Sequence, residues 1–301
     1  MTIPAPDFVI AGAPRCGTTA LYSYLSEHDQ IFLPALKEPH FFAPELGDLR
    51  QVATHHDYIS LFENAAASDV TGEGSVWYLH SERAIAQLVR HRPDVRLVLM
   101  LRNPVDFLES VHQTLVLTQV QEMTDFEEAW RCSSSLPAGE TQWLLDYRNL
   151  ASFGAHLERL CRTIQRERVL IHTMQDLKVD PRSMYQETLN FLGVTDDGRR
   201  DFAPTNERIQ FKSALVGRLL IDPPEPIRTI RKVLQRASTS ETSSPLSVVA
   251  RGARRIIRLN WESADESPIS NELRREILNE LRSDIDLAES ILQRDLGSWR
   301  V

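Results

Sequence analysis

The beginning of the chain combines an apolar run, a glycine turn and a helical pattern. Residues 7–11 (DFVIA) form a short apolar run that ends at a glycine. From Thr18 to Glu27, leucine and tyrosine recur at helical spacing. This part of the sequence therefore predicts a strand, a loop and a helix in succession.

A second apolar run, residues 95–101 (VRLVLML), is too hydrophobic for an exposed strand and predicts a buried one. It is followed by a helical pattern from Val105, and Pro104 suits the first turn of that helix. Between the two units, the amphipathic residues 81–91 predict a crossover helix. This alternation predicts an α/β fold with a central, mostly parallel sheet flanked by helices, whose active site lies at the carboxyl ends of the strands.

Later segments continue the same alternation. We predict helices over residues 154–166 and 181–192, the second one ended by Gly193. A strand is predicted over residues 168–172, and a single long helix over residues 271–292, where Leu and Ile are periodic.

Residues 237–247 are rich in serine and threonine and predict a flexible loop. They lie in a basic tract, since residues 217–258 contain nine Lys or Arg and three acids. Such a tract suits either a lid over an anionic ligand or solvated helix faces beside a loop. We expect a single domain over residues 1–301, with a basic, partly flexible insertion or lid at about 205–265.

Charge and composition exclude several classes of function. The net charge of −8 and the isoelectric point near 5.6 argue against nucleic-acid binding, so a bound anion needs a local positive site. The sequence has neither a signal-like start nor an apolar run long enough to span a membrane, and we expect a cytoplasmic protein. Its three cysteines, Cys16, Cys132 and Cys161, are too dispersed for a disulfide framework or a metal cluster, and we expect no metal.

The first strand-to-helix turn, residues 12–19 (GAPRCGTT), has the two-glycine spacing of a phosphate-binding loop. Thr18 replaces the lysine that contacts the β- and γ-phosphates of ATP, while Arg15 places a permanent cation within the loop. The loop therefore favours one terminal phosphate over a nucleoside triphosphate with magnesium. The alternative is a structural turn in which threonines cap the helix.

A second candidate anion site follows the 95–101 strand. Ser110 lies eight residues after Arg102, a spacing that returns its hydroxyl towards the strand end, and arginine with serine suits a second phosphate. The alternative is an ordinary helix serine beside an ion-paired arginine.

Four segments in order resemble the motifs of the PAPS-dependent sulfotransferase family, especially its bacterial and heparan-sulfate-type branch, where PAPS is 3'-phosphoadenosine 5'-phosphosulfate. They are GAPRCGTTALYSYL from Gly12, KEPHFF (37–42), GEGSVWYL (72–79) and LRNPVDFLES (101–110). The resemblance continues through residues 174–194 and the terminal segment 284–299. It implies a P-loop-like, three-layer fold and PAPS as the sulfuryl donor.

The resemblance also implies roles for individual residues. The donor's 5'-phosphosulfate would be bound by the first loop, through Arg15, Cys16, Gly17, Thr18 and Thr19. Its 3'-phosphate would be bound by the later arginine and serine, which are Arg102 and Ser110.

The pair Glu38 and His40 provides candidate catalytic bases, because side chains two residues apart in an extended segment share a side. The resemblance favours Glu38 as the base with His40 second, and Arg15 would stabilise the leaving phosphate. The alternative pairs Glu38 with a surface cation and packs His40 against Phe41 and Phe42.

Two positions depart from the family pattern. Arg15 stands where many members have lysine, and the heparan-type pattern has a lysine directly after the glutamate of its third motif. Here Gly74 follows Glu73. The role of that lysine is therefore unfilled, or it is supplied by Lys37 or by the basic tract.

The resemblance implies transfer of a sulfuryl group to a hydroxyl or amine of an acceptor. We predict a small-molecule, glycolipid or natural-product acceptor, because an acidic protein binds long polyanions poorly. Two alternatives are a P-loop kinase or NTPase and a non-catalytic adenine nucleotide-binding module. The sequence leaves the oligomeric state open.

Overall fold

The computed structural model describes residues 6–67, 69–118, 120–133, 142–203, 209–211, 261–263 and 269–301. Its main feature is a five-stranded sheet with the spatial order β2-β3-β1-β4-β5, in which every pairing is parallel. The strands are β1 (Phe8–Gly12), β2 (Ile31–Phe32), β3 (Val70–Gly74), β4 (Arg96–Leu101) and β5 (Val169–Thr173).

Helices flank this sheet, as the sequence predicts. The α-helices with residues up to 161 are α1 (Thr18–Ser26), α2 (His55–Ser60), α3 (Ala84–His91), α4 (Pro104–Leu117), α5 (Phe126–Cys132), α6 (Tyr147–Ala151) and α7 (Phe153–Cys161). Those beyond are α8 (Met174–Val179), α9 (Pro181–Leu192), α10 (Asn271–Glu280) and α11 (Arg282–Leu292). Short 3-10 turns cover Pro44–Leu49, Gln142–Leu144, Arg166–Arg168 and Gly297–Trp299.

The chain divides into two compact units. The first comprises residues 1–111, 125–205 and 269–301 and contains the parallel sheet, and the second comprises residues 112–124 and 206–268. In the second, β6 (Ile209–Phe211) and β7 (Trp261–Ser263) form an antiparallel pair. Most of the predicted insertion at about 205–265, including the serine-rich loop, lies outside the described residues, so the single-domain organisation stays a prediction.

The central strands form because their sequences are apolar throughout. All five residues of β1 are buried, as are all residues of β4 after Arg96. Such continuous burial is typical of parallel strands that are covered on both faces. The predicted strands at 7–11, 95–101 and 168–172 are confirmed to within a residue or two.

Most helix predictions are confirmed, although α7 ends at Cys161 and not at residue 166. Pro104 begins α4 and Gly193 follows the last residue of α9, as expected. The segment 271–292 is a further exception, because it forms two helices that meet at Leu281, not one. The second of these is fixed to α7. The Asp284 carboxylate accepts hydrogen bonds from the amides of Gly154 and Ala155, at 2.8 and 2.9 Å, and so caps the start of that helix.

The close approach of α11 to α7 leaves no space for a side chain at Gly154. A Cβ atom there would lie 2.2 Å from the backbone oxygen of Asp284. We expect Gly154→Ala to lower the free energy of unfolding by about 1–3 kcal/mol, the usual cost of overpacking, as measured by urea titration. Gly297→Ala is the matched control, because its Cβ would meet only the exposed side chain of Asp295. Equal stability of the two variants would contradict the tight α7–α11 contact.

Candidate active site

The loops that follow β1, β3 and β4 meet at the carboxyl edge of the sheet. Backbone hydrogen bonds join them: Ala13 N donates to Met100 O (2.7 Å), Ser75 N to Ile10 O (3.0 Å) and Leu79 N to Ala11 O (2.8 Å). Segments that are distant in sequence are therefore fixed beside one another, where ligands of open parallel sheets bind.

The loop between β1 and α1 has the shape that the glycine spacing predicts. Gly17 has a φ of 88° and directly precedes α1, and a Cβ atom there would lie 2.7 Å from Leu177 Cδ2, so only glycine fits. The first turn of α1 contains no acidic residue, and its N-terminal partial charge is not neutralised from within. Thr18 is buried at the start of the helix and Thr19 is exposed.

Cys16 lies in the same loop but is fully buried, and this burial raises the pKa of its thiol to about 12. The side chain therefore behaves as a neutral packing group, and any ligand contact at Cys16 would be made by its backbone amide.

Arg15 and Ser110, which are 95 residues apart, are in direct contact. Arg15 Nε donates a hydrogen bond of 3.0 Å to Ser110 Oγ. Arg15 also has a φ of 60°, a left-handed conformation that is uncommon for residues other than glycine. The two candidate anion sites are therefore adjacent, because β1 and β4 are neighbours in the sheet.

Arg102 lies at the end of β4 beside a polar cavity of about 180 Å³. The cavity is also lined by Asp106, Lys178 and Arg274. Asp106 bridges the two arginines: its Oδ2 is 3.7 Å from Arg102 Nη2, and its Oδ1 accepts a hydrogen bond of 2.7 Å from Arg274 Nη2. Among the described residues, the side chains that line the cavity carry three positive charges and one negative charge, and this positive excess is the local site that an acidic chain needs in order to bind an anion.

Sequence reasoning missed Arg274 and Lys178. Neither belongs to an anion-binding pattern, and Arg274 follows Asp106 by 168 positions. Only the docking of α10 and α8 near the end of β4 brings these cations to Arg102.

Glu38 is the centre of a small polar network. It forms an ion pair with Lys37 through Oε1, while its Oε2 accepts a hydrogen bond of 2.9 Å from the amide of Val76. The same Oε2 lies 3.2 Å from His40 Nε2. The predicted pair is therefore brought together, although Glu38 also has the cationic partner of the structural alternative.

His40 is held in its neutral form. Its side chain is only 5% exposed, and burial, together with the charge of Lys37, lowers the pKa of the imidazole to about 3. A neutral imidazole with a proton on Nε2 can donate to Glu38 Oε2. This arrangement suits an orienting role for His40 and leaves Glu38 as the better candidate base.

The candidate base is linked to the glycine loop after β1 through Val76. The Glu38 carboxylate accepts a hydrogen bond from the amide of Val76. The carbonyl oxygen of Val76 is 3.0 Å from the position that a Cβ atom on Gly12 would take. The pairing of β3 with β1 produces this proximity.

Lys37 lies next to Gly74, the position at which the heparan-type pattern has a lysine. A Cβ atom on Gly74 would lie 3.6 Å from Lys37 Cε and 2.8 Å from the ring of Tyr22. The ammonium group lies 6.0 Å from the centre of that ring and pairs with Glu38. Two substitutes were predicted for the cation that Gly74 lacks. Lys37 lies next to Gly74, whereas the basic tract is outside the described residues.

Two features are absent from the part of the chain that the structure describes. There, no group of three His, Cys, Asp or Glu side chains is arranged as a metal site. Within the same residues, no helix has the length and apolar character needed to cross a bilayer.

Comparison with known proteins identifies the family. Residues 5–213 match the family model described as the sulfotransferase domain. The chain belongs to the sulfotransferase family. This confirms the family resemblance found in the sequence and argues against the P-loop kinase alternative.

Relatives of this family member include proteins named for heparan sulfate and for carbohydrate. It is 28% identical over 197 residues to the bifunctional heparan sulfate N-deacetylase/N-sulfotransferase 4 of Mus musculus, a match of 63% of this chain and 22% of the relative. It is 31% identical over 147 residues to carbohydrate sulfotransferase 15 of Homo sapiens, covering 35% and 26% of the two chains. The chain thus matches about a quarter or less of the length of these relatives.

A solved structure supports the fold of this chain. The sulfotransferase from Alicyclobacillus acidocaldarius superposes with a TM-score of 0.70 at 23% identity, over 98% of this chain and 99% of that one. The predicted α/β fold with a central parallel sheet is confirmed.

The contact between Lys37 and the Glu38–His40 pair has a measurable consequence. We expect Lys37→Met to raise the pKa of His40 above its value of about 3, because a nearby positive charge that opposes protonation is removed. Burial remains, so the pKa should stay below that of a free histidine. An NMR titration of the imidazole nitrogens measures the shift, with Lys178→Met as the control; an unchanged pKa in Lys37→Met would contradict the described contact.

Proposed function

We propose that this chain transfers the sulfuryl group of PAPS to a hydroxyl or amine of an acceptor molecule. The main support is the position of Glu38, a candidate base whose partner Val76 contacts the anion-binding loop at Gly12. A base beside such a loop is what group transfer from an anionic donor needs.

Two adjacent candidate anion sites favour a donor with phosphates at both its 3' and 5' positions, such as PAPS, over a nucleoside triphosphate. In the proposal, residues 12–19 bind the 5'-phosphosulfate through backbone amides, threonine hydroxyls and Arg15. Arg102 and Ser110 bind the 3'-phosphate, and Arg274 and Lys178 add positive charge beside Arg102. The donor would displace the contacts that now hold these side chains, such as that between Arg15 and Ser110.

The transfer itself requires one proton acceptor and stabilisation of the leaving group. Glu38 would take the proton of the acceptor hydroxyl as the new oxygen–sulfur bond forms and the bond from sulfur to the 5'-phosphate oxygen breaks. Arg15 and the loop amides would stabilise the charge that develops on the leaving phosphate. His40 would orient Glu38, and Lys37 would supply the cation that Gly74 lacks.

We propose a small-molecule, glycolipid or natural-product acceptor. The net charge of −8 disfavours long polyanions, which need an extended basic surface. The carbohydrate-acting relatives make a sugar hydroxyl one candidate within this range. A cytoplasmic location stays a prediction.

The donor site can be tested by calorimetric titration with adenosine 3',5'-bisphosphate and, separately, with ATP and magnesium. We expect tight binding of the bisphosphate alone, weakened about 10- to 100-fold in Arg102→Ala through loss of a charge-assisted contact. Arg182→Ala is the matched control, because that arginine pairs with Asp196 away from the site. Preference for ATP, or equal effects of the two substitutions, would contradict the donor assignment.

The role of Glu38 can be tested separately from donor binding. We expect Glu38→Gln to lower kcat about 100- to 10,000-fold, the contribution of a general base, while the Kd for the bisphosphate is unchanged. Turnover is measured with PAPS and a panel of sugar and phenol acceptors, and Glu63→Gln is the control. A matching loss of bisphosphate affinity would mean that Glu38 acts in binding and not in proton transfer.

A further inference from the structure

Glu73 is a buried carboxylate with an unusual set of partners. It lies in β3 with no exposed surface. Ser75 Oγ donates a hydrogen bond of 2.6 Å to its Oε2, while the hydroxyls of Tyr58 and Tyr78 donate to its Oε1 at 3.2 and 3.1 Å. A buried charge is costly unless it is hydrogen-bonded. These three donors therefore explain how the fold accommodates the Glu73 carboxylate in its core.

Two of the three hydroxyls also hold the backbone of the segment that carries the candidate base. The amide of His40 donates to Ser75 Oγ at 3.1 Å, and the amide of Phe42 donates to the Tyr78 hydroxyl at 3.1 Å. A hydroxyl that donates its proton to a carboxylate presents its lone pairs to such amides, and linked hydrogen bonds of this kind strengthen one another. Glu73 therefore orients the hydroxyls of Ser75 and Tyr78 so that each accepts a hydrogen bond from a loop amide.

The segment held in this way needs external support. Glu38 and His40 have φ angles of 67° and 52°, left-handed conformations that are unfavourable for residues other than glycine and persist where the surroundings impose them. Aromatic packing adds to the support, since the rings of Phe41 and Tyr58 stack with centres 4.4 Å apart.

We propose that Glu73 is a positioning residue that, through Ser75 and Tyr78, holds residues 38–42 in the strained conformation that places Glu38 beside the anion-binding loop. Its complete burial prevents contact with an acceptor, so it does not act as the base itself. The functional part of this proposal rests on the proposed role of Glu38, whereas the structural part does not.

The ionisation of Glu73 is consistent with this arrangement. Burial raises the pKa of the carboxyl to about 7, and the bonds from Ser75, Tyr78 and Tyr58 oppose that rise. The carboxylate form, which accepts from all three hydroxyls, is thus accessible near neutral pH because these donors are present.

Hydrogen exchange followed by mass spectrometry tests the structural part without any need for turnover. The decisive variant is Glu73→Gln, which leaves Ser75 and Tyr78 in place but accepts at only one end of its side chain. We expect the peptide that covers residues 38–42 to exchange about tenfold faster, as for the loss of one hydrogen bond. Thr188→Val, which removes an equally buried hydroxyl elsewhere, should leave this peptide unchanged.

A second pair of variants decides the question if Glu73→Gln does not fold. Tyr78→Phe and Tyr58→Phe each remove one donor from Glu73, but only Tyr78 also accepts a loop amide. Faster exchange of residues 38–42 in Tyr78→Phe than in Tyr58→Phe would support the proposal. Equal exchange in both variants and the wild type would overturn it.

Kinetics then test the functional part. We expect Glu73→Gln to lower kcat about 100-fold, the scale of effect for a misplaced catalytic group, with no change in the Kd for adenosine 3',5'-bisphosphate. An unchanged kcat in a variant whose 38–42 segment exchanges faster would overturn the positioning role. If the wild type transfers no sulfuryl group, the proposed function fails, while hydrogen exchange still decides the link between Glu73 and the loop.

Discussion

The parallel pairing of β1 with β3 on one side and β4 on the other determines where the polar side chains of the site lie. In a parallel sheet all strands end at the same edge, so the segments that follow them are brought together whatever their separation in sequence. The bond from Ala13 to Met100 and the bond from Leu79 to Ala11 extend this pairing beyond the strands. The contact of Arg15 with Ser110 and the position of Glu38 beside Gly12 both depend on it.

Several cations of the site have local polar partners, in a chain that is acidic as a whole. Arg15 contacts a hydroxyl, Lys37 pairs with Glu38, and Arg274 pairs with Asp106. Unpaired charges in a partly buried site would be costly, so each of these partners holds a cation in place at modest cost. An anionic ligand would take over contacts that already hold these cations. Because the side chains are ordered before the ligand arrives, binding would cost less conformational entropy.

The segment 37–42 shows how rigid parts of the fold support a strained functional part. Its left-handed residues are not glycines, so local sequence preference opposes the conformation that is observed. The opposing contribution comes from β3 and α2, through the hydroxyls around Glu73 and the stacking of Phe41 on Tyr58. The candidate base is thereby held to a buried core, an arrangement that suits a group whose position must be accurate.

The sequence alone determined the elements and the chemistry whose signals are local. Continuous apolar runs specify β1, β4 and β5, the glycine spacing specifies the loop after β1, and Pro104 and Gly193 mark helix ends. Local motifs were also enough to indicate both candidate anion sites and the candidate Glu38–His40 pair. The tertiary structure decided what depends on contacts between distant segments: the division of residues 271–292 into two helices, the arrival of Arg274 beside Arg102, and the position of Lys37 over Gly74. The hydroxyl cluster around Glu73 belongs to the same class, because periodicity and spacing describe neighbours along one element, while these contacts arise only when separate elements pack together.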